Sequence, residues 1–165
     1  MSSKNYILTK EVAQKKLQRM AYEILERNTD ENYIILAGIK ENGLVIAKKM
    51  AALLKPIYKG KLDLMEIDID KKNLSQITLS PEIDLNGKVI IVADDVVHGG
   101  RTLLYALKPI LLFYPKKIQT LVLVERTHKA FPITADYVGL SVATTFEEHI
   151  FVEVEGEEIY GAYMI

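Results

Sequence analysis

The segment Asp94-Asp95-Val96-Val97-His98-Gly99-Gly100-Arg101-Thr102 concentrates residue types that can do chemistry. Two adjacent carboxylates can accept hydrogen bonds from neighbouring sugar hydroxyls, or hold a magnesium ion through water. Two glycines let the backbone turn tightly and approach a ligand with no Cβ in the way. Arg101 and Thr102 then open a helix, whose first amides and dipole suit a phosphate group. The Thr102 hydroxyl and the Arg101 guanidinium are further donors, and each hydrogen bond to a charged phosphate contributes about 1.5–3 kcal/mol. A glycine pair by itself is a turn, and an acidic pair by itself is a solvated strand end or a helix cap. Apolar strand, acids, glycines and helix within one short segment point to a site for a phosphorylated sugar.

The elements that must position this segment are legible around it. Lys88-Val89-Ile90-Ile91-Val92-Ala93 is a continuous apolar run, the mark of a strand covered on both faces, and a helix is expected from Arg101 to Phe113. Tyr33-Ile34-Ile35-Leu36-Ala37 is a second such strand, followed by a polar turn at 38–43 and a helix at 44–54 that Pro56 ends. Residues 118–124 form a third strand. Two strand–loop–helix units feeding apolar strands predict an α/β fold, with a mostly parallel twisted sheet flanked by helices. Open parallel sheets bind ligands beyond the carboxyl ends of their strands, where both polar loops fall.

Upstream, Val12, Leu17, Met20, Ala21, Ile24 and Leu25 recur at helical spacing, with Thr9 as N-cap. Residues 61–70 alternate as a half-exposed strand. Residues 70–86 are a polar excursion, with a short strand at 76–79, and are read as a hairpin or lid. The stretch 135–165 carries short alternating segments, among them strands at 150–154 and 159–163. No linker or repeat divides the chain, so one domain spanning 1–165 is expected.

Composition narrows the classes. Of 165 residues, 49% are hydrophobic and 26% charged, which is globular usage. The absence of cysteine excludes disulfides and thiolate chemistry. No apolar run reaches about 18 residues, so no membrane span is expected; no secretory signal is evident, and cytoplasmic residence is expected. A net charge of −1 gives no support to a dedicated nucleic-acid binder. The apolar stretch 103–113 has more hydrophobic surface than one sheet face needs, which predicts either a homo-oligomer or a helix deep in the core.

Residues 89–104 resemble the phosphoribosyl-diphosphate (PRPP) signature of the type I phosphoribosyltransferases. Arg19-Met20-Ala21-Tyr22-Glu23-Ile24, Gly38-Ile39-Lys40 and the run from Leu123-Val124-Glu125-Arg126-Thr127-His128-Lys129 through Gly139 resemble the pyrimidine-operon attenuator and uracil phosphoribosyltransferase branch. The resemblance implies the type I fold with a flexible hairpin and a small hood. It implies Mg2+-dependent transfer of ribose 5-phosphate from PRPP to a nucleobase, uracil first, releasing pyrophosphate. It would put the ribose hydroxyls on Asp94 and Asp95, the catalytic pair, and the 5′-phosphate on His98, Gly99, Gly100, Arg101 and Thr102. Pyrophosphate would meet Ile39, Lys40, Glu41 and Asn42, and the base would meet Val97, Arg126 and Val138. Alternatives are a nucleotide-sensing, RNA-binding regulator of pyrimidine genes, and a purine phosphoribosyltransferase.

The sequence departs from the branch where Gly99 replaces a threonine, where Glu41 and Asn42 replace threonine and arginine, and where Lys71 and Lys72 stand in place of a catalytic arginine. Several residues carry a second reading. Lys40, Lys71 and Lys72 also read as solvated lysines, His98 as a structural loop histidine, and Arg126 as an ion-pair partner of Glu125. His128 and Lys129 fall where the branch contacts RNA, but Thr134 replaces a basic residue nearby, so solvent exposure is expected for both. Glu147, Glu148 and His149 read as surface groups rather than metal ligands.

Overall fold

In the computed structural model, which describes residues 3–70 and 72–165, the chain builds two sheets. Nine strands take part: β1 (Asn5–Thr9), β2 (Tyr33–Ile39), β3 (Lys61–Asp70), β4 (Asn73–Ser80), β5 (Val89–Val97), β6 (Lys117–Arg126), β7 (Tyr137–Val142), β8 (Ile150–Glu155) and β9 (Glu158–Met164). The larger sheet has the order β4-β3-β2-β5-β6-β7, with every pairing parallel except the β3–β4 hairpin. The smaller is antiparallel, β1-β9-β8. The helices are α1 (Lys10–Arg27), α2 (Asn42–Leu54) and the short α3 (Arg101–Ala106), followed by a 3-10 turn at Ile110–Leu112.

The three apolar runs became β2, β5 and β6 because both faces of the sheet are covered. Ile34, Leu36, Ile91, Leu121 and Leu123 join a core with Met20, Ile24, Ile46 and Met50 of α1 and α2. The alternate residues Ile35, Ile90, Val92 and Val122 join Leu103, Ala106 and Ile110 on the opposite face. Parallel strands then deliver their carboxyl ends to one edge, where the polar turns lie.

Four expectations need correction. Residues 5–9 form β1, where the sequence reading placed no element; their pattern is half-exposed and too short to stand out in sequence. In α1, Thr9 does cap the helix, accepting from Val12 N at 3.2 Å, but Val12 is 40% exposed and Ala13 is the buried residue. β5 continues through Asp94 and Asp95 to Val97, so both carboxylates sit on a strand and the loop is only residues 98–100. The helix expected over 101–113 stops at Ala106, because Pro109 supplies no amide and restricts the residue before it. Leu111 and Leu112 are consequently exposed, at 62% and 84%, rather than deep in the core. The excursion at 70–86 does hold a hairpin strand, β4, longer than the 76–79 expected.

Asn28 ties α1 to the sheet. Its buried amide nitrogen donates to Ile24 O at 2.8 Å and to Gln119 Oε1 at 3.0 Å, while its oxygen accepts from Lys117 Nζ at 3.0 Å. Tyr137 donates to the same Gln119 oxygen at 2.8 Å. Asn28→Ala leaves those groups with fewer partners in a dry site, and is expected to lower unfolding free energy in urea by about 2–3 kcal/mol.

Candidate active site

The two carboxylates are held differently. Asp94 is 3% exposed, and its Oδ1 accepts from Asp95 N at 2.8 Å. The first turn of α2 presses on it: a Cβ on Gly43 would stand 3.1 Å from Asp94 Oδ1 and 2.8 Å from Ala93 O. Asp95 is half-buried; its Oδ1 accepts from Val96 N at 2.8 Å and its Oδ2 from Asn42 Nδ2 at 2.9 Å. Asn42 also donates to Val152 O at 3.4 Å, linking the carboxylate to β8 of the small sheet.

Beyond Val97 the chain wraps a recess of about 180 Å³ lined by Asp94 and residues 96–103. Gly100 has φ +91, and a Cβ there would stand 2.8 Å from Ile133 Cγ2, so both conformation and space demand glycine. Gly99 O accepts from the amides of Ala130 and Phe131, each at 3.0 Å. The Arg101 guanidinium lies 5.1 Å from the centre of the Phe131 ring. His98, Gly99, Gly100, Arg101 and Thr102 are thus brought together around one cavity beside Asp94.

A second recess, about 420 Å³, is lined by Lys40, Glu41, Asp68, Ile69, Asp70 and Lys72. Ile39 ends β2 with its side chain fully buried, and the turn proper is only Lys40 and Glu41. Glu41 has φ 73 and ψ −119, a conformation that costs about 1–3 kcal/mol outside glycine. Lys40 Nζ pairs with Asp68 at 3.3 Å, both about half exposed. Lys71 lies outside the described residues.

On the far side, Arg126 does not pair with Glu125. Its NH2 donates to Thr145 O at 3.1 Å and to Glu148 O at 2.6 Å, holding the 143–149 loop, and its Nε has no partner. Glu125 pairs instead with Lys129 at 3.1 Å, with side-chain exposures of 16% and 12%, so Lys129 is not the solvent-exposed residue expected; His128 is exposed. Val97 is buried at 3%, and Val138 lies two strands away, level with Asp94 through Val122. His98 Nε2 and Thr144 Oγ1 are also buried without partners, and each such atom leaves about 1–3 kcal/mol of desolvation uncompensated. Among the described residues no three His, Cys, Asp or Glu side chains converge on a metal, Glu147, Glu148 and His149 included. Thr144, Phe131 and the Asn42–Asp95 bridge were not foreseen; only tertiary contact creates their roles.

A profile of the phosphoribosyl transferase domain matches residues 5–156 of the chain. The chain belongs to the phosphoribosyltransferase family. The bifunctional protein PyrR of Clostridium acetobutylicum is 38% identical over 94% of this chain and 93% of its own, and the pyrimidine operon regulatory protein of Lactococcus lactis subsp. cremoris is 36% identical over 84% and 83%. Among solved structures, the hypoxanthine phosphoribosyltransferase of Trypanosoma cruzi superposes with a TM-score of 0.76 at 17% identity, over 86% of this chain and 83% of that one. A hypoxanthine-guanine phosphoribosyltransferase of Bacillus anthracis gives 0.71 at 22%, over 91% and 87%. The type I fold expected from the sequence is therefore present, with β3–β4 as its hairpin and β1-β9-β8 as its hood.

Two properties of this phosphoribosyltransferase can be measured without substrate. Glu41→Gly removes the strained φ, and after the entropy glycine gains in the unfolded chain it is expected to stabilise by about 1 kcal/mol; Glu41→Ala keeps the strain and should give no gain in the same urea titration. Burial holds His98 below the ordinary histidine value, reinforced by Arg126 and His149 and opposed by the Ile150 carbonyl and Asp95. The unfolded chain therefore takes up the proton first as pH falls through about 6.5, so this stabilisation is present above that pH and lost below it. His98→Gln should flatten the fall in unfolding free energy between about pH 7 and 5.

Proposed function

We propose that this single-domain phosphoribosyltransferase moves ribose 5-phosphate from PRPP to a nucleobase, uracil first, in a magnesium-dependent reaction. The observation that carries the reading is the recess at residues 96–103, which joins a glycine-built loop to the carboxylate of Asp94, with Asp95 its neighbour on β5. In this reading the 5′-phosphate sits on residues 98–102 and the ribose hydroxyls on the two aspartates. The base nitrogen bonds to C1′ as the C1′–O bond breaks, pyrophosphate leaves with the electron pair, and the base nitrogen loses its proton. Positive charge develops on the ribose ring, where a fixed carboxylate lowers the barrier. Lys40 and the amides of the 40–42 turn meet the departing pyrophosphate, and Val97, Arg126 and Val138 border the base.

The donor set fits magnesium that arrives with the diphosphate: two adjacent carboxylates and, among the described residues, no protein cage, the arrangement this ion favours when it keeps waters and takes phosphate oxygens. When bound it supplies charge neutralisation for the leaving group. Cytoplasmic residence and a homo-oligomer through the exposed Leu111 and Leu112 belong to the same proposal; no described helix is long and apolar enough to cross a membrane.

One observation favours a second reading. Among the described residues, the proposed pyrophosphate recess is lined by Glu41, Asp68 and Asp70 together with Lys40 and Lys72. Carboxylates beside the leaving-group site suit a nucleotide sensor more than a fast transferase, and the relatives named as pyrimidine operon regulators make the sensing of a pyrimidine nucleotide, with RNA as partner, its natural form. Pyrophosphate release from PRPP and magnesium, scanned over uracil, orotate, hypoxanthine, guanine and adenine, decides. Release with uracil that falls at least about 100-fold in the Asp94→Asn, Asp95→Asn double variant is the expected result. Release with a purine only would move the substrate, and silence with every base while UMP binds would leave the sensor.

A further inference from the structure

Asn42 stands where three elements meet. It is the first residue of α2, its side chain reaches the carboxyl end of β5, and β8 of the small sheet passes beside it. The side-chain nitrogen donates to Asp95 Oδ2 at 2.9 Å and to Val152 O at 3.4 Å. A carboxylate and a main-chain carbonyl only accept, so the amide must turn its nitrogen toward them, and its orientation is fixed by these partners. An amide nitrogen carries two hydrogens, and both are taken. What remains is the amide oxygen, an acceptor, which has nothing to offer a phosphate oxygen. Lys40 and Glu41 line the second recess with residues of β3, whereas the Asn42 side chain turns to β5.

Asp95 gains from this what its own strand cannot give. Its Oδ1 accepts from the Val96 amide at 2.8 Å, a bond to the next residue about which the carboxylate could still turn. The bond from Asn42 reaches the other oxygen from a separate helix, so the plane of the group is pinned at both ends. A carboxylate has about four acceptor sites, and these two bonds leave a lone pair on each oxygen for an incoming hydroxyl. The tie to Val152 O holds Asn42 in turn, because the amide cannot swing away from β5 without parting from β8. Glu41, with φ 73, starts α2 directly after the turn, which leaves no slack in the backbone that carries Asn42.

We propose that Asn42 is the positioning residue for Asp95 and acts on the choice of sugar. By fixing that carboxylate it makes the site select a ribose with both ring hydroxyls over a sugar lacking them, and its side chain takes no part in holding pyrophosphate. The inference rests on the proposed placement of the ribose hydroxyls on the two aspartates. It assigns the Asn42 side chain to the sugar half of the cleft, where the sequence had pointed to the pyrophosphate half. A hydroxyl that meets an acceptor already fixed does not have to bear the cost of ordering it, so the selectivity of the site depends on the residue that does the fixing.

The test is calorimetric titration of the full chain and its Asn42→Ala and Asn42→Asp variants with two probes, the methyl glycosides of ribose 5-phosphate and of 2,3-dideoxyribose 5-phosphate. The probes share a closed ring and a phosphate and differ only in the two hydroxyls. Wild type is expected to bind the ribose probe at least about tenfold more tightly, because a site built to hydrogen-bond a group rejects the analogue lacking it. Asn42→Ala should cut that preference by about three- to tenfold while the dideoxy probe binds as before, which also shows that the variant is folded. Asn42→Asp is nearly isosteric but sets a second carboxylate against Asp95, so it should cut the preference further than alanine does. Magnesium pyrophosphate should bind wild type and Asn42→Ala equally well. A sugar preference kept in both variants, an equal loss for both sugar probes, or a loss of pyrophosphate affinity alone in Asn42→Ala overturns the inference and leaves the proposed site standing. Wild type that binds neither sugar probe, or binds both equally, overturns the proposed placement of phosphate and ribose, and this inference with it.

Discussion

A carboxylate that is 3% exposed at the edge of a parallel sheet constrains everything built around it. An ionised Asp94 in that position is tolerable only with donors close by, since an uncompensated buried charge costs several kcal/mol. The amide of Asp95 supplies one donor, and α2 is brought so close that Gly43 has no room for a Cβ. That approach in turn fixes the β2–α2 connection: a Cβ on Gly38 would stand 2.6 Å from Leu44 Cα, and only Lys40 and Glu41 remain to make the turn. A turn this short leaves Glu41 with a positive φ and aims Asn42 at Asp95. Strain at residue 41 is therefore a consequence of seating residue 94.

The same economy explains why so much of the fold was legible. Strands buried on both faces must be continuously apolar, so β2, β5 and β6 announce themselves as unbroken runs, and their alternate residues sort onto two cores. A glycine-rich turn between such a strand and a helix marks where β5 ends and α3 begins, and with them the loop proposed for phosphate. The α1 periodicity held apart from the exchange of Val12 for Ala13. What failed was of two kinds. Pro109 was in plain sight, and its missing amide should have ended the helix that was carried to Phe113. β1 gives no local signal, because half its residues face solvent and its pairing with β9 is made 150 or so residues away in sequence.

The site divides in the same manner. Asp94, Asp95 and residues 98–102 are contiguous, so spacing alone assembled them. Arg126 and Lys129 take their roles from partners that sequence cannot pair: Arg126 spends its NH2 on the 143–149 loop, and Glu125 goes to Lys129 across one turn of chain rather than to its neighbour. A charged residue beside an opposite charge in sequence lies on the other face of a strand, so adjacency on β6 separates Glu125 from Arg126 instead of joining them.

The two halves of the cleft are therefore unequal, and magnitudes decide what that inequality means. Lys40 is committed to Asp68, but a half-exposed pair of this kind is worth about 1 kcal/mol at most, so a multiply charged phosphate group outcompetes it. Glu41 is exposed to solvent, where a like charge about 4 Å away costs about 1 kcal/mol rather than the several it would cost in a dry pocket. An acid at that position weakens a pyrophosphate contact several-fold without abolishing it, and the main-chain amides of the turn are untouched by the side chain's charge. Under the proposed function, the departures at residues 40–42 thus act on how tightly and how fast the leaving group is held. The seat proposed for phosphate and ribose depends on Gly100, Asp94 and Asn42, and these are bound into the fold too closely to be altered without disturbing the sheet edge itself.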